Sequence, residues 1–391
     1  MKLVVIGLGQ CGNRIADEFA RLNIRAIKNR GVEIITGAFA VNTDAADLTG
    51  LKTIKSDYQH RILIGGRKTG GHGVGKINEI GAEIAKEDGD KVVEAIRVTR
   101  HFYETDAFLL IAGAAGGTGS GSIPIMAKLM KERYPDKPVY CLLVLPFEHE
   151  ETTEERTVYN AAVCIKSVSS VADAVIFFDN QRYIRKDYSL GTNLAKINSL
   201  ITEPFYNLLC AGEEKKGKYI GAKVLDAGDI IQSLVGWTAI GYGRSTLPLF
   251  RWPWENNRNF KKKSTETHLG IQAMDEAIAE LSIRCRPEDS SRALYLLSAP
   301  AREMNMDLVK ELGNYLKSLT PKAIIRNGDY PHKRGILDVT VIISELSDLE
   351  KIRNYYNKSI RFMSQTEKIH EEAENKLKIV DDTGKDVPTL L

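Results

Sequence analysis

The sequence predicts an α/β protein: an N-terminal Rossmann-like domain on a parallel sheet, a long central helix and a smaller C-terminal α/β domain. Three observations predict it. Two apolar runs, Leu3-Val-Val-Ile6 and Ala107-Phe-Leu-Leu-Ile-Ala112, each pass into a glycine-rich segment and then a helical pattern, the unit that parallel α/β sheets repeat. A third run, Val139-Tyr-Cys-Leu-Leu-Val-Leu145, is apolar without alternation, as in a strand buried on both faces. After residue 290 a β-α-β-β order follows, apart from the first series.

Composition bounds the function. The 391 residues are enough for two domains. The net charge of +3, with no long basic stripe, argues against a nucleic-acid partner. The longest nearly unbroken apolar run, residues 139–147, is far short of the roughly 20 residues that span a bilayer. Residues 1–6 run straight into a glycine loop and read as a first strand, not a signal peptide. Five scattered cysteines without C-x-x-C indicate a reduced, cytoplasmic protein.

Taken in order, the strand at 3–6 leads into Gly7-Leu-Gly-Gln-Cys-Gly12 and an amphipathic helix over 13–22. Gly7, Gly9 and Gly12 fit the dinucleotide fingerprint G-x-G-x-x-G, which makes an NAD-dependent Rossmann oxidoreductase one reading. That fingerprint needs an acid at the end of the second strand. Glu33 has the spacing but sits at the start of the strand, and Asp44, at the strand end, comes too late. The second strand, Ala38-Phe-Ala-Val41, ends in Asn42-Thr43-Asp44, residues that also suit a helix cap. A short strand at 61–64 precedes Gly65-Gly-Arg-Lys-Thr-Gly-Gly-His-Gly-Val-Gly75 and a helix from Asn78. His72 in that loop reads as a solvated histidine.

The densest motif is Gly113-Ala-Ala-Gly-Gly-Thr-Gly-Ser-Gly-Ser122, five glycines in ten residues. A strand precedes it, and a helix with Pro124 near its first turn follows. Glycines let backbone N–H groups gather on one anion, and the helix N-terminus adds roughly half a positive charge. Thr118, Ser120 and Ser122 add hydroxyls, so the segment reads as a phosphate site. After the central strand, residues 148–155 hold five glutamates, followed by Arg156. Residues 173–178 form the next strand, ending at Asp179-Asn180. A long helix is expected over 193–214, kinked or split at Pro204. Asp226 and Asp229 lie three apart in a turn before a helix. An aromatic and basic loop covers 247–263, where a lateral or peripheral membrane contact is one reading and a plain solvated loop the other.

Gly116-Gly-Thr-Gly-Ser-Gly121 resembles the glycine signature of the tubulin/FtsZ superfamily, and Gly71-His-Gly-Val-Gly75 followed by Asn78-Glu-Ile-Gly-Ala-Glu83 resembles its archaeal CetZ branch. The resemblance covers about residues 1–245 by motif and 246–370 by architecture. It implies the tubulin/FtsZ fold, with a GTP-binding domain at 1–192, a linking helix at 193–222, an acidic turn and C-terminal domain at 223–370, and a tail at 371–391. It implies GTP and GDP bound by Gly9, Gln10, Cys11 and Asn13, by Asn42, Thr43 and Asp44, by Gly71, Gly73 and Gly75, and by Ala114, Ala115, Gly116, Gly117, Thr118, Gly119 and Ser120. Glu150 would contact the ribose and Arg156 a phosphate, while Asn13, Asn180 and Asn198 match the base-side positions. Leu194 stands where the family usually stacks an aromatic, and Val224 where FtsZ commonly has an asparagine. Magnesium would ride on the nucleotide phosphates, with no protein metal site. Asp229, with Asp226 second, would complete the pocket of the next subunit. Phosphoryl transfer needs an oriented water and neutralised charge more than covalent chemistry. The resulting expectation is a CetZ-type cytoskeletal GTPase that assembles head-to-tail and serves cell shape. An FtsZ-like division GTPase and the oxidoreductase are the alternatives.

Overall fold

In the computed structural model, which describes residues 1–184, 190–247 and 260–385, strand β1 (Leu3–Leu8) passes directly into helix α1 (Gly9–Arg30). The expected loop at 7–12 is therefore mostly helix. Gly9 makes the corner with φ 69, and Gly12 is needed for closeness, because a Cβ there would lie 2.0 Å from the Ile111 carbonyl oxygen. Strand β2 (Ile35–Asn42), a short α2 (Ala45–Thr49), β3 (Arg61–Leu63) and α3 (Gly66–Thr69) follow. Helix α4 (Asn78–Arg97), β4 (Ala107–Gly113) and α5 (Thr118–Arg133) come next. The start of α5 corrects the sequence reading: the helix begins at Thr118, so Pro124 lies inside it and not at its first turn. Strand β5 (Val139–Leu145) leads to α6 (Glu148–Thr153) and α7 (Glu155–Ser169), which turn the glutamate run into two helices, and β6 (Ala174–Asp179) closes this half.

Helix α8 (Leu190–Ala211) is continuous through Pro204, against the expected split. One face of it carries the buried Ile197, Ile201, Phe205 and Leu208. Phe205 meets Phe19 of α1 edge-on, ring centroids 5.2 Å apart, and Glu203 pairs with Arg25 at 2.8 Å. Packing of this kind outweighs the local cost of an interior proline, about 3 kcal/mol. The remaining elements are α9 (Ala227–Ser233), β7 (Gly236–Thr246), α10 (Phe260–Ala279), β8 (Arg292–Ala299), α11 (Met306–Leu319), β9 (Ile324–Pro331), β10 (Ile336–Ser344) and α12 (Glu350–Gly384). Residues 371–384, read from sequence as tail, continue α12. The end of that tail, 386–391, and most of the aromatic-basic loop, 248–259, lie outside the described residues.

The strands join in one mostly parallel sheet, ordered β3-β2-β1-β4-β5-β6-β7-β10-β8-β9. From β3 to β6 all neighbours are parallel. Strand β7 serves both halves: Gly236, Trp237 and Thr238 pair in parallel with β6, and residues 239–246 pair antiparallel with β10. The unbroken apolarity of the strands is explained by their two covered faces. Val4, Ile6, Phe108, Leu110, Cys141 and Leu143 enter the cluster under α4, α5 and α7. Their alternates Val5, Leu109, Ile111, Tyr140 and Leu142 enter the cluster under α1 and α8. All five cysteines are free.

Candidate functional site

The C-terminal ends of β1, β4 and β5 open onto a cleft of about 400 Å³, the edge where ligands bind in parallel α/β sheets. Its floor is the first turn of α5. The first N–H groups of a helix have no intrahelical acceptor, and Gly117, Thr118 and Gly119 line the cleft there. None of Gly116, Gly117, Gly119 and Gly121 takes positive φ. A Cβ on Gly119 would lie 2.7 Å from the Leu8 carbonyl oxygen, and one on Gly121 would lie 2.1 Å from that of Asn78. These residues let α5 press its N-terminus against β1 and α4. Gly116 has nothing within 4 Å of its Cβ position and faces the cleft.

Two further loops close over this end. Asp44 caps α2, its Oδ1 accepting from the N–H groups of Ala46 and Asp47 at 2.8 and 3.1 Å, and bridges to His72, which is exposed. Asp47 binds the Gln10 amide at 2.6 Å and the Asn42 amide at 3.1 Å, joining the first two loops. In the third loop Gly70, Gly71, Gly73 and Gly75 all have positive φ, and so does Lys76 at 61°, a conformation uncommon outside glycine. Asn160, wholly buried, fastens that loop to the glycine motif: its Nδ2 donates to the carbonyls of Lys76 at 2.8 Å, Ala115 at 3.1 Å and Gly116 at 3.3 Å.

The other end of the cleft is formed by Cys11, Val144, Leu145, Pro146, Phe147, Glu150, Asn180, Leu194 and Asn198. Leu194 lines the wall as expected, and Phe147 is the aromatic ring there among the described residues. Burial pushes the Cys11 thiol up to about 12, so it stays neutral. Glu150 lines the cleft while its Oε2 accepts from the Phe147 N–H at 2.9 Å.

Gly9, Gln10, Cys11, Asn42, Asp44, Gly73, Ala115, Gly116, Gly117, Thr118, Gly119, Glu150, Asn180 and Asn198 are thus brought together around one cleft. The remaining sequence-derived residues, Arg156 apart, hold its walls. Asn13 is fully buried and accepts from the Val41 N–H at 3.1 Å, while its Nδ2 has no partner among the described residues. Thr43 meets the Thr118 hydroxyl at 2.6 Å, Ser120 donates to the Gly116 carbonyl, and the Ala114 N–H donates to Val144 O at 2.9 Å. The Gly71 N–H donates to the Thr69 hydroxyl at 3.1 Å, and Gly75 supplies a turn at φ 57. Arg156 is directed elsewhere: its Nε donates to Lys76 O at 3.2 Å and its guanidinium pairs with Glu79. Sequence reasoning missed Arg14, Asp47, Lys76 and Thr157, which also line the cleft. A cation following Gly75 was a usable signal for Lys76. Nothing local marked Thr157, whose buried hydroxyl lacks a partner among the described residues. The dinucleotide alternative loses its acid, since β2 ends in Asn42 and Glu33 lies before β2 against His101.

The acidic turn sits elsewhere. Asp226 caps α9 by accepting the Asp229 N–H at 2.9 Å, and Asp229 lies 3.3 Å from the Arg326 guanidinium. Both precede β7, whose first residues pair with the start of β6. They are therefore at the edge where the parallel strands begin, about 20 Å, the length of a six-residue strand, from the edge that carries the cleft. No group of three or more His, Cys, Asp or Glu suited to a metal occurs among the described residues, and no helix there is long and apolar enough to cross a membrane.

Comparison with known proteins adds to this geometry. The family model described as "Tubulin/FtsZ family, GTPase domain" matches residues 2–186, and "Tubulin-like CetZ, C-terminal domain" matches 187–361. The chain is 32% identical over 388 residues to tubulin-like protein CetZ1 of Haloferax volcanii, covering 95% of each chain. Among solved structures, GDP-bound monomeric CetZ1 from Haloferax volcanii matches with a TM-score of 0.79 at 30% identity, over 93% of this chain and 100% of that one. The GTPγS-bound protofilament of CetZ2 from the same organism matches with a TM-score of 0.79 at 27% identity, over 94% of this chain and 100% of that one.

Proposed function

The chain belongs to the tubulin/FtsZ family, in its CetZ branch, and from that premise we propose that it binds GTP and GDP in the cleft, assembles head-to-tail and hydrolyses GTP where two subunits meet. The phosphates lie on the first turn of α5 under the loops of Asn42, Asp44, Gly73 and Lys76, and the guanosine lies between Phe147, Leu194, Asn180 and Asn198. Glu150 is in reach of the ribose. Asparagine suits guanine because its amide offers a donor and an acceptor together.

Magnesium fits the phosphate end. Asp44 spends Oδ1 on its cap and turns Oδ2 toward Gly73, leaving one carboxylate oxygen for a cation already held by phosphates. Bound there, the ion would neutralise phosphate charge.

The observation that carries the reading is the separation of two half-sites. The cleft opens at one edge of the parallel sheet, and Asp226 and Asp229 stand at the other. A chain cannot bring its own acids to its own phosphates. A second copy stacked on the first can, and such a contact repeats into a filament because it joins unlike surfaces. In that contact Asp229, released from Arg326, orients the attacking water, and Asp226 keeps the turn in shape. We assign the filament to the control of cell shape. The test is phosphate release measured against protein concentration, with light scattering in GTP, GDP and no nucleotide. Turnover per subunit rises with concentration, and scattering rises with GTP. Asp229→Ala keeps nucleotide binding and loses turnover on the order of 100-fold. A specific rate independent of dilution refutes the shared site.

A further inference from the structure

The guanosine end of the cleft is walled by two segments from different elements. Asn180 follows the last residue of β6, and Glu150 lies in the first turn of α6. Each stands next to a carboxylate withdrawn from solvent. The Asp179 side chain is 10% exposed and that of Glu151 is 8% exposed. Both are directed at one cation from a distant part of the sequence. Lys351, in the first turn of α12, places its Nζ 2.7 Å from Asp179 Oδ1 and 3.3 Å from Glu151 Oε1. One turn further, the buried Tyr355 donates its hydroxyl to Glu151 Oε1 at 2.6 Å. The same Asp179 oxygen accepts the Gln181 N–H at 3.1 Å, so the turn that carries Asn180 depends on it too.

We infer that Lys351, backed by Tyr355, is a positioning residue for the guanine and ribose end of the nucleotide site: its ammonium, shared between Asp179 and Glu151, sets the spacing of β6 and α6 that lets Asn180 and Glu150 grip one nucleoside. The inference rests on the nucleotide reading above. Without Lys351, two poorly hydrated carboxylates face each other. Like charges in such a setting repel strongly, and the exposed Lys358, 3.8 Å from Glu151, is a weak substitute. Short α6 carries Glu150, so a change in the spacing of β6 and α6 displaces that carboxylate. The phosphate end is built on α5 and other loops, so the loss falls on recognition of base and sugar.

The test is competition binding of GTP, ITP and 2′-deoxy-GTP to the full chain and its variants. ITP lacks the guanine amino group and 2′-deoxy-GTP lacks a ribose hydroxyl. In wild type, GTP binds best. Lys351→Met weakens GTP about tenfold and brings the three affinities together. Tyr355→Phe, which removes one donor and keeps the ring, weakens GTP about threefold in the same sense. Lys351→Arg restores most of the preference, and pairing Lys351→Met with Glu151→Gln restores part of it by removing the repulsion. If Lys351→Met does not fold, Tyr355→Phe and Lys351→Arg carry the same comparison. Unchanged preference for GTP in folded Lys351→Met or Tyr355→Phe, or an equal loss for all three ligands, overturns the inference. Failure of the wild-type chain to bind GTP at all overturns instead the nucleotide reading beneath it.

Discussion

Replacing Gly121 and Gly116 separately by alanine distinguishes packing from ligand contact within one motif. At Gly121 an added Cβ would lie 2.1 Å from the Asn78 carbonyl oxygen and 2.7 Å from the Ala82 nitrogen. An ordinary carbon–oxygen contact is above 3 Å, so α5 and α4 must separate by about 1 Å, and both obstacles are backbone. Overpacking costs about 1–3 kcal/mol, offset by at most about 1 kcal/mol of helix propensity gained from glycine to alanine. With two backbone obstacles the upper end of that range applies, so the net destabilisation is about 2–3 kcal/mol. The same shift moves the helix N-terminus away from the cleft, and a misplacement of that size costs up to about 100-fold in function. At Gly116 nothing lies within 4 Å of the Cβ position and φ is not positive, so Gly116→Ala keeps its stability. Its methyl group enters the cleft and weakens nucleotide binding alone. Urea denaturation and fluorescent-nucleotide titration read the two effects. Wild-type stability in Gly121→Ala, or a large stability loss in Gly116→Ala, refutes the division of roles.

Asn160→Ala removes three donations that tie the Lys76 turn to the glycine motif. It should cost about 1–3 kcal/mol, weaken nucleotide binding about tenfold and speed tryptic cleavage after Lys76; unchanged cleavage argues against that tie. Asp338, almost fully buried, should govern stability in acid. Burial alone would raise its pKa, but His332, the Arg244 guanidinium at 2.7 Å and the Tyr242 hydroxyl at 2.8 Å more than offset this and hold it below the ordinary carboxylate value. Because the folded value is depressed, the contribution is present above the unfolded pKa near about 3.9 and is lost as pH falls through the folded value. Asp338→Asn should therefore cost about 2–3 kcal/mol at pH 7, with the gap to wild type closing below about pH 4 in urea titrations. A constant gap across that range would count against the ion pair.

Much of the fold was legible because the strands carry it locally. The run at 139–145 reads as buried on both faces, and its residues enter two clusters alternately. The floor of the cleft was legible because glycine, threonine and serine before a helix pattern have few other uses. What stayed hidden depends on contacts distant in sequence. The start of α5 at Thr118 is invisible from a proline rule, since the reason for those glycines lies in Leu8 and Asn78. The continuity of α8 through Pro204 is decided by Phe19 and Arg25 on another helix. In the glutamate run the sequence offered only Glu150 as a contact, and nothing local showed that Glu151 serves Lys351 or that Glu154 pairs with Lys76.

Strand polarity ties these observations together. A parallel sheet gathers its glycine turns at one edge and leaves its entering turns at the other. Between β6 and β7 the chain runs through α8 along one face of the sheet and must return to the starting edge before β7 can pair in parallel with Ala174, Val175 and Ile176. Helix α8 makes this return, from Leu194 and Asn198 at the cleft to Leu209, whose carbonyl accepts from the Met1 ammonium beside the start of β1, and the turn that carries Asp226 and Asp229 follows it. The same strand then pairs through residues 239–246 with β10, so the acidic turn is fixed to the C-terminal half while its edge is set by the N-terminal one. A β7 antiparallel to β6 would place the acids at the cleft edge. On the proposed shared site, the direction of this one strand is what calls for a second copy, so turnover against concentration tests that proposal and the fold together.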